Sequence, residues 1–287
     1  MYSMRGVLTM TVMAGCTAET TPWAVWIADL EGRVVALDGR TGAPLPDPVE
    51  AEGIRAAAVV PYGDDVVVAD FETGELHRLG TGESLIWQNP PSGLRLEEPC
   101  DLTFTPDGTL WALGNDTENI LGLTAARLAR STGAAREIGG HDAPIPRAHG
   151  LTATPDGELW VALSRTWVGQ PILERWNPLS GERVATLDVP ELDAATDVTI
   201  SGDVLWVADW SSGQLMRLDP LTGRQLPAVT TTLDRPLSLA PVPGGGVVVL
   251  TEEEGLFVVN ASGVVDRLAP TPEGSTPRGV TVVALGG

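Results

Sequence analysis

The chain has 287 residues, 38 of them Asp or Glu against 18 basic ones, giving a formal net charge of −20 at pH 7. A balance of that sign excludes a nucleic-acid partner, whose phosphates need a basic face. It fits a self-repelling surface or a site for cations. Every basic residue is Arg, a bias of the kind a GC-rich genome produces.

The first segment stands apart from the rest. Arg5 supplies a positive start, Gly6 to Met13 is mostly apolar, and Met13-Ala14-Gly15-Cys16 closes the stretch with small residues. This is the pattern of a secretory signal, too short to span a bilayer. Ending on Cys, it resembles the lipobox of bacterial lipoproteins, with Met13 where Leu is usual. The resemblance implies cleavage after Gly15, a lipid on Cys16, and a place in the bacterial cell envelope facing the periplasm or exterior. An ordinary secretory signal, or initiation at Met4, is the alternative. Residues 1–15 are thus expected to be a signal, 16–22 a tether, and 23–287 one domain that meets the membrane only through the anchor. With Cys16 acylated, Cys100 has no disulfide partner and reads as a small buried thiol, a nucleophile being the alternative.

From Ala24 onward one phrase recurs. An apolar strand, a Pro/Gly/Asp turn, a Val- or Trp-rich strand and a third strand lead into a Gly turn. The clear copies are Cys100-DLTFTPDGTLWAL, His149-GLTATPDGELWVAL and Thr196-DVTISGDVLWVADW; weaker ones open at Arg55, Leu237 and Arg278. All-strand repeats of this length mark a β-propeller. The segment Ala24 to Pro46 has later strands of a blade but no inner strand before it, whereas the last copy stops after one strand. The prediction is an all-β, six-bladed β-propeller, closed by the C-terminal strand (about Gly279 to Ala284) joining the N-terminal blade. Closure hides two edges that a linear array leaves unpaired. Trp26, Val67, Trp111, Trp160, Trp206 and Val248 align on the second strands and are expected to fill the wedges between blades. Leu123 to Glu137, rich in Ala and Arg, reads as outer strands rather than helix from its place in the repeat.

In such a repeat the inner strands start at one face, around the axis. Two rings follow: Arg55, Cys100, His149, Thr196, Leu237 and Arg278, then Ala56, Asp101, Gly150, Asp197, Ser238 and Gly279. Alternation aims one ring inward and the other at a neighbouring blade, and spacing does not say which. Arg55, Asp101, His149, Asp197 and Arg278 are the expected ligand-binding set at the mouth. Convergent Arg and Asp can clamp a carboxylate or a sugar, and His149 is the catalytic candidate because imidazole moves protons near neutrality. A structural ion-pair network that closes the channel is the competing reading. Asp101 and Asp197 are the candidates for a divalent cation, calcium or magnesium. Asp29, Asp70 and Asp209 end second strands, where capping the next turn competes with metal binding. Trp167 and Trp210 lie in loops of that face.

The copies HGLTATPDGELWVAL and LWVADWSSGQLMRLDPLTGRQL resemble the NHL, YVTN and streptogramin-lyase propeller repeats, and the six-bladed SMP-30/gluconolactonase-like family is similar in kind. The resemblance covers most of residues 24 to 285. The lyases and lactonases imply a divalent metal at the channel mouth, and the lyases a catalytic His, for which His149 is the matching position. Two functions follow as expectations. One is a monomeric extracytoplasmic lipoprotein that binds a small ligand or a protein partner; the other is a metal-assisted lactonase or streptogramin-lyase-like enzyme.

Overall fold

The structure, a computed structural model, describes residues 22–46, 49–50, 53–63, 65–80, 84–88, 96–114, 120–123, 136–138, 147–164, 172–227, 229–271 and 275–285. Cys16 and the expected signal lie outside these residues, as does Trp167. Every described element is a strand.

The strands run β1 (Trp23–Asp29), β2 (Arg33–Asp38) and β3 (Val49–Glu50), then β4 (Ala56–Tyr62), β5 (Asp65–Asp70), β6 (Leu76–Leu79) and β7 (Ser84–Trp87). Next come β8 (Pro99–Phe104), β9 (Leu110–Gly114), β10 (Ile120–Leu123) and β11 (Arg136–Ile138), followed by β12 (Arg147–Ala153), β13 (Leu159–Ser164), β14 (Ile172–Asn177) and β15 (Glu182–Asp188). The last are β16 (Ala195–Ser201), β17 (Val204–Asp209) and β18 (Leu215–Leu218), β19 (Pro236–Pro241), β20 (Gly246–Thr251), β21 (Leu256–Asn260) and β22 (Val265–Ala269), and finally β23 (Pro277–Ala284). Among the described residues they form five four-stranded antiparallel sheets, ordered β23-β1-β2-β3, β4 to β7, β8 to β11, β12 to β15 and β19 to β22, and one three-stranded sheet, β16 to β18. This is a β-propeller.

The three-stranded sheet departs from the repeat as read above. After β18 the chain makes one isolated bridge, Leu218 to Gln225, and one bond from Leu226 N to the Arg217 carbonyl. Pro227 then removes a donor where an outer strand would continue.

β23 lies against β1 from Trp23↔Ala284 to Asp29↔Pro277, so the two ends of the described chain share one sheet. Apolar clusters fill the wedges between successive sheets. One joins Trp111 and Leu113 to Leu151 and Val161, another Trp206 and Ala208 to Leu239 and Val249, and a third Val25 and Ile27 to Val248 and Leu250. Trp160 and Trp206 are among the largest fully buried side chains, as their second-strand positions require.

The turns carry their own chemistry. Gly108 and Gly157 adopt φ of 80° and 90° in the two Pro-Asp-Gly turns, a conformation open to glycine at little cost. Asp38, Asn177 and Asp219 each accept backbone N–H bonds from the second and third residues ahead, building the outer turns.

Candidate site at the channel mouth

Each inner strand carries a β-bulge at one equivalent step. The register shifts place the extra residue at Ala57, Cys100, His149, Thr196, Leu237 and Arg278. A bulge leaves its extra residue unpaired and re-aims its side chain. All six of these residues line one cavity of about 350 Å³, with Leu30, Phe71, Glu98 and Pro99 completing the wall. The first ring is therefore the one that faces the cavity.

The register corrects one ring member. Ala57, not Arg55, stands at the bulge of β4, and Ala58, not Ala56, follows it. Arg55 is on the outer rim: its Nε donates to the Leu30 carbonyl at 3.2 Å and its Nη1 meets Glu72 Oε1 at 2.6 Å. The run Arg55-Ala-Ala-Ala-Val hid the step, because its alanines offer no polar residue to mark register.

The second ring, Ala58, Asp101, Gly150, Asp197, Ser238 and Gly279, stitches the inner strands together. Asp101 Oδ2 accepts from Leu151 N of the next sheet at 2.5 Å, Asp197 Oδ2 from Leu239 N at 2.6 Å, and Ser238 Oγ from Val280 N at 3.3 Å. The other oxygens, Asp101 Oδ1 and Asp197 Oδ1, accept from Leu102 N and Val198 N. Both aspartates line a second cavity of about 310 Å³, further down the inner strands, and not the mouth cavity. Of the five predicted ligand residues, the structure thus brings His149 and Arg278 together in the mouth and places Asp101 and Asp197 beneath them, with Arg55 outside.

Electrostatics separate the layers. Burial raises the Asp197 carboxyl to about 7, and burial together with the Asp197 charge pushes Asp101 well above the usual carboxylate range. All four of their oxygens accept backbone N–H groups, which commits them to the strands and does not fit a resident divalent cation. Among the described residues no three His, Cys, Asp or Glu side chains are grouped to hold a metal ion. Cys100 is a thiol whose Sγ lies 3.5 Å from the Leu113 carbonyl. Burial, then the nearby aspartates, push it far above its ordinary value, which opposes nucleophilic use.

Other predicted residues are occupied by the fold. Asp29, Asp70 and Asp209 are buried and accept the N–H groups of the turns that follow them, as in Glu72 N to Asp70 Oδ1 at 2.8 Å. Trp210 is partly exposed beneath the Arg235 guanidinium, 5.2 Å from its ring centre, and its Nε1 donates to Glu252. Glu98 was not foreseen. It and Arg235 adopt φ of 44° and 45°, each directly before a proline that opens an inner strand. That conformation is strained for a side chain in either place, and the repeated Glu98-Pro99 and Arg235-Pro236 pairs were the available signal.

The fold and site define a β-propeller with a concave cavity at the mouth of its axial channel. The chain matches no protein-family model. No curated protein matches it either. Solved structures do. A chain of a nidogen/laminin complex aligns with TM-score 0.71 and 15% identity, over 92% of this chain and 98% of that one. A streptogramin B lyase aligns with TM-score 0.65 and 16% identity, over 91% and 87%. A catalytically inactive virginiamycin B lyase from Staphylococcus aureus, solved with quinupristin, aligns with TM-score 0.63 and 16% identity, over 92% and 89%. At these identities the likeness is one of fold.

Proposed function

We propose that the chain is an extracytoplasmic, six-bladed propeller lipoprotein that binds a small ligand or a partner protein at its channel mouth. In this reading the three-stranded sheet is the sixth blade, β23 closes the ring, Cys16 carries the anchor, and the protein acts as a monomer. The observation that carries the binding reading is the convergence of six bulge residues on one cavity. Bulges weaken pairing, and their use at a single level of every inner strand is a device for aiming side chains. The cavity is at the small end of ligand pockets, which run from roughly 300 to 1,000 Å³. The neighbour solved in a nidogen/laminin complex supports a protein as the second class of partner.

A thermal-shift screen of small fragments tests the reading, since a ligand at 100 times its Kd adds about 2.7 kcal/mol to stability. Leu237→Trp, which fills the cavity, should remove the shifts. Shifts that survive this filling would locate binding elsewhere. A metal-assisted lactonase or lyase is the alternative, favoured by the place of His149 in the cavity wall. It requires turnover that EDTA abolishes and calcium or magnesium restores.

A further inference from the structure

We propose that the mouth cavity takes a small carboxylate with an apolar body, its charge held by Arg278; this rests on the binding reading above. Three arginines of this face make the argument. Arg55 lies 2.6 Å from Glu72, its guanidinium 6.0 Å from the centre of the Phe71 ring. Arg235 lies 3.2 Å and 3.6 Å from Glu252 and Glu253 and covers Trp210. Both are neutralised within their own sheets. Arg278 differs: it stands at a bulge in the cavity wall, and among the described residues it makes no ion pair or hydrogen bond.

Its surroundings explain why. The ring positions on either side are Ala57 and Leu237, neither of which can pair with a cation. The one acid among the described residues of this wall, Glu98, forms no ion pair with Arg278, so the guanidinium stays exposed to whatever enters the cavity. A guanidinium presents a planar fork that matches a carboxylate. Leu30, Phe71, Pro99 and Leu237 supply apolar wall for the rest of the ligand. His149 stands three sheets away, on the opposite side of the ring, and bounds the ligand's far end. The acidic exterior does not cancel this attraction at contact, because its field is screened within about 8 Å at physiological salt.

Phenylacetate, neutral phenylacetamide and cationic phenethylamine share one body and test the charge. Calorimetric titration into the full chain should give Kd values around the millimolar range for probes of this size. Phenylacetate should bind about tenfold or more tighter than phenylacetamide, the worth of one charge-assisted contact. Arg278→Gln should erase that preference while leaving phenylacetamide binding and the melting temperature unchanged, and Arg278→Lys should keep part of it. Equal binding of all three, or a preference for phenethylamine, overturns the carboxylate class while the binding site stands. A preference that persists in Arg278→Gln overturns the role of Arg278. No binding by any of the three, where the fragment screen does give shifts that Leu237→Trp removes, overturns the carboxylate proposal alone; no shifts in that screen either overturns small-ligand binding at the mouth.

Discussion

Asp101 and Asp197 occupy the same step of two inner strands, and each directs one carboxyl oxygen to the backbone of the following sheet, at Leu151 N and Leu239 N. They tie β8 to β12 and β16 to β19 directly below the mouth cavity.

That pair sets a pH dependence. Asp197 titrates near 7 in the folded protein against an ordinary value of 3.8, so the native state holds more protons between those limits. Stability from this group is fully present below about pH 4 and is lost as pH rises through about 7. Asp38, Asp107 and Asp219 act oppositely: hydrogen bonds from Thr41, Thr105 and Thr222 with neighbouring backbone hold them below 3.8. Their contribution is present above that value and lost as pH falls below it. Urea unfolding should therefore give a maximum on the acid side of neutrality and a decline toward pH 8. Asp197→Asn should flatten the decline and, because an amide cannot accept at both positions, cost about 1–3 kcal/mol at pH 5. An unchanged slope in the variant would assign the titration to another group.

Gly150 is required by a close approach, not by its backbone conformation. A Cβ there would lie 2.6 Å from both the Asp197 Cα and Val198 N. Gly150→Ala should push β12 from β16 and cost more than the roughly 1–3 kcal/mol of ordinary overpacking. Gly202→Ala, in a turn with φ +59° and open space around it, should cost only about 1 kcal/mol. Equal losses in chemical denaturation would show that Gly150 is not a contact point.

Removing residues 277–287 deletes β23, the inner strand beside β1. Val25 and Ile27 would then lose their contacts with Val280, and the channel would lose one wall. The truncated chain should lose its cooperative melt in circular dichroism. A melt matching that of the full chain would remove β23 as the closing strand.

Cys16 should be the first residue of the mature protein. Intact mass should show loss of residues 1–15 and added acyl mass, and Cys16→Ser should abolish membrane association. A mature chain lacking acyl mass would leave simple secretion in place of an anchor.

How much of this was legible in the chain divides along physical lines. The period of the repeat, the Pro-Asp-Gly and Asx turns and the second-strand tryptophans are local patterns, and they announced a propeller, because each depends on neighbours only a few residues away. His149 and Arg278 were legible as mouth residues for the same reason: they open strands whose spacing repeats. Arg55 was misplaced by two residues because a bulge leaves no mark in an alanine run, and only pairing with β5 reveals it. The three-stranded sheet was equally hidden, since whether the chain after β18 returns as an outer strand depends on a backbone donor that Pro227 lacks. Above all, sequence placed Asp101 and Asp197 at the right step but not in the right layer. Their raised pKa and their bonds to Leu151 and Leu239 exist only when sheets distant in sequence pack together, because burial and cross-sheet distance belong to the assembled propeller and to no segment of it.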